Sequence, residues 1–414
     1  MGNADPTTRT LEGSMHASEQ APRRVAFYSH DTVGLGHTRR NLALAAALVN
    51  ASPELDVLII TGNPEATTLG LPPNTDVVTL PTITKDHTGR YQSRVMNSPL
   101  SVVIEMRRRV IEAALTAFAP DLLVVDKVAL GVDGELVPAL KTLRHVGATR
   151  TVLGLREILD DPVSTVREWE SLGTTAAIQR YYDQVWVYGD PTVYDPVVEY
   201  GLPTAVAAKI NYTGYLGHGR FAPVLDHSAR TPRPSKPYVL CLMGGGQDGY
   251  QLADTFARTP MPAGHSGLLL TGPYMSRDCR RQLKRAAAGN RDLTIHEFVP
   301  DSVDLLLGAA AVVSMAGYNS ACEILASPTP ALLVPRTHPR TEQEIRARRL
   351  SDHGFAEMID IDDLSTGWLA RWLSSVVRSC DQGAARATAT IDLSGLQTVP
   401  RLAAALVGSF HHAA

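Results

Sequence analysis

Cysteine is scarce in this sequence and nowhere clustered: four in 414 residues, at 241, 279, 322 and 380. Without a close pair there is no spacing that frames a zinc site or a redox dithiol, and the thiols read as isolated buried groups in a reducing cytosol. An excess of charge is missing too. Lys+Arg 39 against Asp+Glu 42 leaves a net charge of −3, which excludes a strongly basic nucleic-acid binder. No stretch reaches about 18 uninterrupted apolar residues, so no membrane span is expected. Residues 1–22 are polar and lack the apolar core of a signal peptide; they read as a tail outside the fold of a soluble, cytoplasmic protein.

What is present suits a large α/β core. Hydrophobic residues make up 44% and charged residues 20%, and the length fits two domains of about 200 residues. Short apolar runs alternate with helix-like segments. RVAFYS (24–29), DVLIIT (56–61), DLLVV (121–125), RTVLG (150–154) and QVWVY (184–188) form a first series. PYVLCLM (237–243), GLLLT (267–271), LTIHEF (293–298), AAVVSM (310–315), PALLVP (330–335) and AEMID (356–360) form a second. Continuous rather than alternating runs are expected of parallel strands covered on both faces. The fold predicted is two doubly wound domains facing across a cleft: 23–216, then a Pro/Gly-rich linker at 217–236, then 237–398, with a last helix at 399–414 returning to the first domain.

Three loops hold candidate chemistry. In HDTVGLGHTRRNLALAAAL (30–48), Gly34 and Gly36 bracket a turn and His37 opens a helix, where the dipole suits a neutral histidine acting as a general base. A plain tight turn with a surface histidine meets the same spacing, and Arg39 breaks the dinucleotide fingerprint. In the second half, Gly244, Gly245 and Gly246, followed by Gln247, offer several N–H groups after a strand, as a diphosphate would use. In SMAGYNSACEILA (314–326), Gly317 turns the chain into a helix. The free N–H groups of Tyr318, Asn319 and Ser320 and the Ser320 hydroxyl can hold a phosphate there, and Glu323 can accept from ribose hydroxyls unless it is a solvated helix residue. Phe298 and Val299 form an apolar shelf or an ordinary strand end.

Thr341 to Glu344 has the form of a capping box, so Glu344 is expected as the cap partner, leaving Glu342 and Gln343 free for sugar hydroxyls. The following RARR (346–349) reads as a solvated face. In the first half, Asp126 ends a strand at the cleft and is a candidate to orient His37 or bind an acceptor hydroxyl. Arg156, Asp160 and Asp161 are further candidates for acceptor contacts, the alternative being caps or salt bridges.

MGGGQDG, HEFVPD, AGYNSACEI and PALLVPRTHPRTEQEIRARRL, in that order, resemble the donor-binding domain of GT-B glycosyltransferases, in particular the MurG-type (undecaprenyl-diphospho-muramoylpentapeptide) N-acetylglucosaminyltransferase family. GLGHTRRNLALAAAL is similar to that family's Gly-rich loop, and INYTGYL (210–216) to its Thr-Gly-Asn-Pro segment. The likeness covers most of residues 24–360. It implies that Glu323 holds the donor ribose, the Gly317–Ser320 turn the diphosphate, Phe298 and Val299 the uracil, that Gln343 faces the donor sugar, and that His37 is the base. Glu342 stands where these relatives carry glutamine and Arg346 where they carry asparagine.

The activity implied is an inverting, metal-independent transfer of a hexosyl or N-acetylhexosaminyl unit from a UDP-type donor to a small-molecule or lipid-linked acceptor. No cofactor is implied beyond the UDP-sugar substrate, and no nucleic-acid partner. The rivals are a non-hydrolysing UDP-sugar epimerase and a catalytically silent nucleotide-sugar binding protein. A membrane-surface role for SVVIEMRRRVIEAALTAF (101–118) is the less favoured reading beside a helix covering the first sheet.

Overall fold

The structure, a computed structural model, describes residues 23–31, 34–85, 90–219, 233–299, 302–381 and 390–408. In the first lobe β1 (Arg24–Ser29), β2 (Asp56–Thr61), β3 (Thr75–Thr79), β6 (Leu122–Asp126), β7 (Arg150–Arg156), β8 (Gln184–Tyr188) and β9 (Ile210–Tyr212) make one sheet, and β4 (Ile83–Lys85) and β5 (Tyr91–Ser93) a separate hairpin. Its helices are α1 (Gly36–Ala51), α2 (Leu100–Phe118), α3 (Val137–Val146), α4 (Pro162–Leu172), α5 (Thr174–Tyr181), α6 (Pro196–Glu199) and α7 (Thr204–Ala207). The second lobe holds β10 (Tyr238–Leu242), β11 (Ser266–Leu270), β12 (Leu293–His296), β13 (Ala311–Ser314), β14 (Ala331–Leu333) and β15 (Glu357–Met358). Its helices are α8 (Tyr250–Arg258), α9 (Arg277–Ala286), α10 (Val303–Leu307), α11 (Tyr318–Leu325), α12 (Glu342–Asp352) and α13 (Thr366–Asp381), and α14 (Gly395–Val407) follows.

The strand orders are β3-β2-β1-β6-β7-β8-β9 and β12-β11-β10-β13-β14-β15. All pairs in both sheets are parallel. Every apolar run named above holds a strand, and β6, β10 and β13 are buried along their whole length. In each lobe the order reverses beside the first strand, between β1 and β6 and between β10 and β13. Such switch points open a crevice at the carboxyl ends of the strands.

Local chemistry sets the helices that frame this crevice. Asp161 caps α4, accepting from the Ser164 N–H at 2.9 Å ahead of Pro162 in the first turn, and Gly173 ends the helix in the left-handed region at φ +62. α2 covers the first sheet. Its Arg107 is fully buried and donates to Glu135 from Nε at 2.5 Å and Nη2 at 2.8 Å, which anchors the helix, while Val102, Met106 and Val110 stay exposed on its outer side.

Most of the expected linker, 220–232, lies outside the described residues. Beside it the chain crosses between lobes a second time. Tyr215 N–H donates to the Asp392 carbonyl at 2.8 Å, His218 N–H to that of Leu393 at 2.9 Å, and Gly395 N–H to that of Tyr215 at 3.0 Å. The last helix starts at Gly395, four residues before the expected 399, and packs against α1 with Leu396, Val399 and Ala403 buried. Residues 1–22 and 409–414 lie outside the description. Cys241 and Cys322 are buried, but Cys279 on α9 is partly exposed, a correction to the expectation of uniformly buried thiols; the Cys380 side chain is not described.

Candidate active site

Three loops converge at the two switch points. After β10, Gly246 sits at φ +89 with its Cα so close to the Thr271 carbonyl that a Cβ would stand 2.1 Å from that oxygen, so only glycine fits. Gly244, at φ +57, faces Ser320 across the crevice. α11 begins at Tyr318 with Gly317 as its N-cap. From the other lobe Gly36 opens α1, and Asn319 Nδ2 donates to the Gly36 carbonyl at 3.0 Å. Gly36, Arg39, Gly244, Gly245, Phe298, Val299, Gly317, Asn319, Ser320 and Glu323 line one continuous cleft, together with Glu297 and Ser302. Glu323 is 7% exposed, with the Ser302 hydroxyl 3.5 Å from Oε2. Val299 is buried and Phe298 is exposed at the rim; Gln247 is exposed beside the glycines.

On the first-lobe wall, His37 Nδ1 lies 2.8 Å from Asp126 Oδ2. Arg40, buried one turn along α1, donates from Nη2 to both Asp126 oxygens at 2.6 Å and lies 6.0 and 5.7 Å from the rings of Tyr188 and Tyr318. Burial alone would raise the Asp126 carboxyl, but Arg40 and His37 outweigh it and hold Asp126 well below the usual carboxylate range. An ionised Asp126 accepts the Nδ1 proton, which leaves Nε2 of the partly exposed His37 as the basic nitrogen. His30, its ring 5.2 Å from that of His37, is kept neutral by burial and by the neighbouring His37 and Lys127. Gly34, at φ +96, completes the turn between them.

Several expected site residues have other partners. The capping box does not form: Thr341 turns its N–H and hydroxyl to Asp160 in the other lobe, at 2.9 and 3.3 Å, and Glu344 instead accepts from Arg348 at 3.0 Å. Glu342 is buried, with Oε1 paired with Arg336 at 2.6 Å and Oε2 without a hydrogen-bond partner. Burial works against its charge, and Arg156, Arg336 and Arg346 keep it below its ordinary range. Gln343, with its amide oriented to satisfy both ends, donates to the Met315 carbonyl and accepts from Arg336 Nε at 3.1 Å. Asp160 accepts from Thr341 through Oδ1, and Asp161 caps α4 through its Oδ1. Arg156 ends β7 among these groups.

RARR is a solvated face only in part: Arg348 is exposed, but the other arginines reach partners in the first lobe. Arg346 is fully buried and bonds Glu157 of the first lobe at 2.6 and 3.2 Å, and Arg349 reaches Glu199 at 2.5 Å. Arg340 pairs with Glu168 at 3.2 Å, the Tyr318 hydroxyl donates to the Tyr188 carbonyl at 2.9 Å, and Tyr274 donates to Glu65 at 2.7 Å. Sequence reading missed Arg40, Arg39 and His30 as site residues. The one signal available for Arg40 was a basic residue one turn after His37.

Comparison with known proteins follows the same line. Residues 264–403 match the glycosyltransferase family 28 C-terminal domain. The fold is GT-B. This chain superposes on Acinetobacter baumannii MurG with a TM-score of 0.51 at 16% identity, over 92% of this chain and 99% of that one. It superposes on CalG4, the calicheamicin glycosyltransferase, with 0.55 at 15% identity over 94% and 98%. A Listeria monocytogenes chain assigned provisionally as a UDP-N-acetylglucosamine 2-epimerase gives 0.57 at 12% over 91% and 94%. At these identities the likeness speaks of the GT-B fold alone.

Among curated proteins it is similar to UDP-N-acetylglucosamine–N-acetylmuramyl-(pentapeptide) pyrophosphoryl-undecaprenol N-acetylglucosamine transferases. That of Haemophilus influenzae (strain PittGG) is 32% identical over 84 residues, 20% of this chain and 24% of the relative. That of Sodalis glossinidius is 28% identical over 163 residues, 35% of this chain and 45% of the relative. The matches thus span under half the length of these relatives.

Proposed function

We propose that this protein is a nucleotide-sugar-dependent glycosyltransferase that moves a hexosyl or N-acetylhexosaminyl unit from a UDP-type donor to a small-molecule or lipid-linked acceptor, with inversion and without a metal. The observation that carries the reading is the His37–Asp126 pair, 2.8 Å apart, next in the chain to Gly36, which lines a cleft together with Arg39, the glycine loop and the α11 N-terminus. The acceptor hydroxyl attacks the anomeric carbon from the side opposite the diphosphate, its proton passes to His37 Nε2, and UDP leaves with the electrons of the broken bond. The N–H groups at Tyr318 to Ser320 and at the glycines disperse the charge growing on the diphosphate, the work a cation does elsewhere. Gly317, the N-cap, has no side chain to cap that helix end.

The test is a thermal-shift screen of UDP-, dTDP- and GDP-sugars with and without EDTA, followed by assay of UDP release against candidate acceptors. A UDP-sugar should raise the melting temperature in either condition, and release should depend on acceptor. Activity abolished by EDTA and restored by magnesium would overturn the metal-free step. An epimer accumulating from donor alone would replace transfer by epimerisation, and binding without turnover would leave a silent binding protein.

A further inference from the structure

Two cations beside the His37–Asp126 pair make no direct ion pair with a carboxylate. Arg156 is the last residue of β7 and Lys127 follows the last residue of β6. The two strands are neighbours, with Asp126 in register with Gly154. Among the described residues neither side chain has a hydrogen bond or ion pair, and Arg156 Nε is fully buried with no acceptor.

The acids around them are committed elsewhere: Glu168 to Arg340, Glu157 to Arg346, Asp160 to Thr341, and Asp126 to Arg40 and His37. Glu342, whose charge acts on Arg156, bonds Arg336 through Oε1 and makes no hydrogen bond to Arg156. Lys127 also holds a left-handed backbone at φ +67, fixed by its N–H to the Gly154 carbonyl at 2.9 Å. Glycine would adopt that conformation with less strain. Burial, Arg340 and Arg156 pull Lys127 down to about 7, and burial pulls Arg156 down to about 10; both charges gain from an incoming anion.

We propose that Lys127 and Arg156 form an anion subsite that takes a carboxylate or phosphate carried by the acceptor. The inference rests on the glycosyltransferase reading. It assigns the anion to the acceptor because both residues belong to the first lobe, one peptide bond and one strand away from Asp126. A guanidinium fork beside an ammonium matches the planar or tetrahedral oxygens of those two groups.

The experiment is calorimetry on the full chain saturated with UDP, titrated with glucuronate, glucose 6-phosphate and glucose. The two charged sugars should bind at least tenfold more tightly than glucose, and less so as salt rises. Lys127→Met and Arg156→Gln should each lose at least tenfold of that binding while keeping the parent's UDP affinity and melting temperature. Charged sugars that bind no better than glucose, or that bind both variants as they bind the parent, overturn the subsite. A second arm compares UDP-glucuronate with UDP-glucose: a charge preference appearing only there, and lost in the variants, overturns the assignment to the acceptor. UDP that fails to bind overturns the transferase reading, whereas charged-sugar binding measured without UDP still decides the subsite.

Discussion

Asp126 shows how one side chain governs the chemistry of another. Because Arg40 keeps it ionised, Asp126 can only accept, and His37 must present the proton on Nδ1. Asp126→Asn keeps the shape but permits the opposite tautomer, so turnover should fall about 10²–10⁴-fold, close to the loss in His37→Ala, with donor affinity nearly unchanged. A His37→Ala protein with normal turnover at saturating acceptor would place the base elsewhere. Glu323, buried at the cleft wall, gives a second test. Glu323→Gln should weaken donor binding by about 10- to 150-fold, since a charge-assisted hydrogen bond contributes about 1.5–3 kcal/mol. A 2′-deoxy or 3′-deoxy donor should then lose little more against the variant. If the variant binds donor normally but melts several degrees earlier, Glu323 supports the fold alone.

At the scale of elements, α12 is the part the sequence reading misjudged most. Its arginines look like a solvated run because their partners lie far away in the chain: Glu157 is 189 residues from Arg346, and Glu199 is 150 from Arg349. Local spacing favours Glu344 as the cap partner of Thr341, and only the fold brings Asp160 close enough to compete. The strands are legible for the opposite reason, since burial on both faces writes an unbroken apolar run. β3 and β9 lie at the sheet edge and β4–β5 outside it, where half-exposed residues leave no such run. Arg346 and Glu157, both fully buried, make the sharpest prediction here. Arg346→Met alone strands a buried carboxylate and should cost about 3–5 kcal/mol, whereas adding Glu157→Leu should recover most of it. Urea midpoints of both single variants and the double measure this, and a loss in the double equal to the sum of the two single losses would show that the side chains are not coupled.

For the whole molecule, the switch-point crevice follows from strand order, and the Gly-rich turns that line it are legible because each follows an apolar strand. The contents of the crevice are less so. Arg40, Lys127 and His30 matter through what they touch, which no spacing reveals. Removal of residues 395–408 should lower the unfolding midpoint markedly, because Leu396 and Val399 leave the core against α1 and each buried aliphatic side chain contributes about 1.5–3 kcal/mol. A midpoint equal to that of the full chain would make α14 an ornament.

The two crossings between lobes lie side by side and are hydrogen-bonded, Tyr215 to Asp392 and His218 to Leu393. A body joined to another by two parallel straps stitched into one narrow band behaves like a door on a single pin: it can swing, but it cannot slide or swivel freely. Any relative motion of the lobes is thereby expected to be a rotation about that band, one that would bring Asn319 back to Gly36 and Tyr318 back to Tyr188.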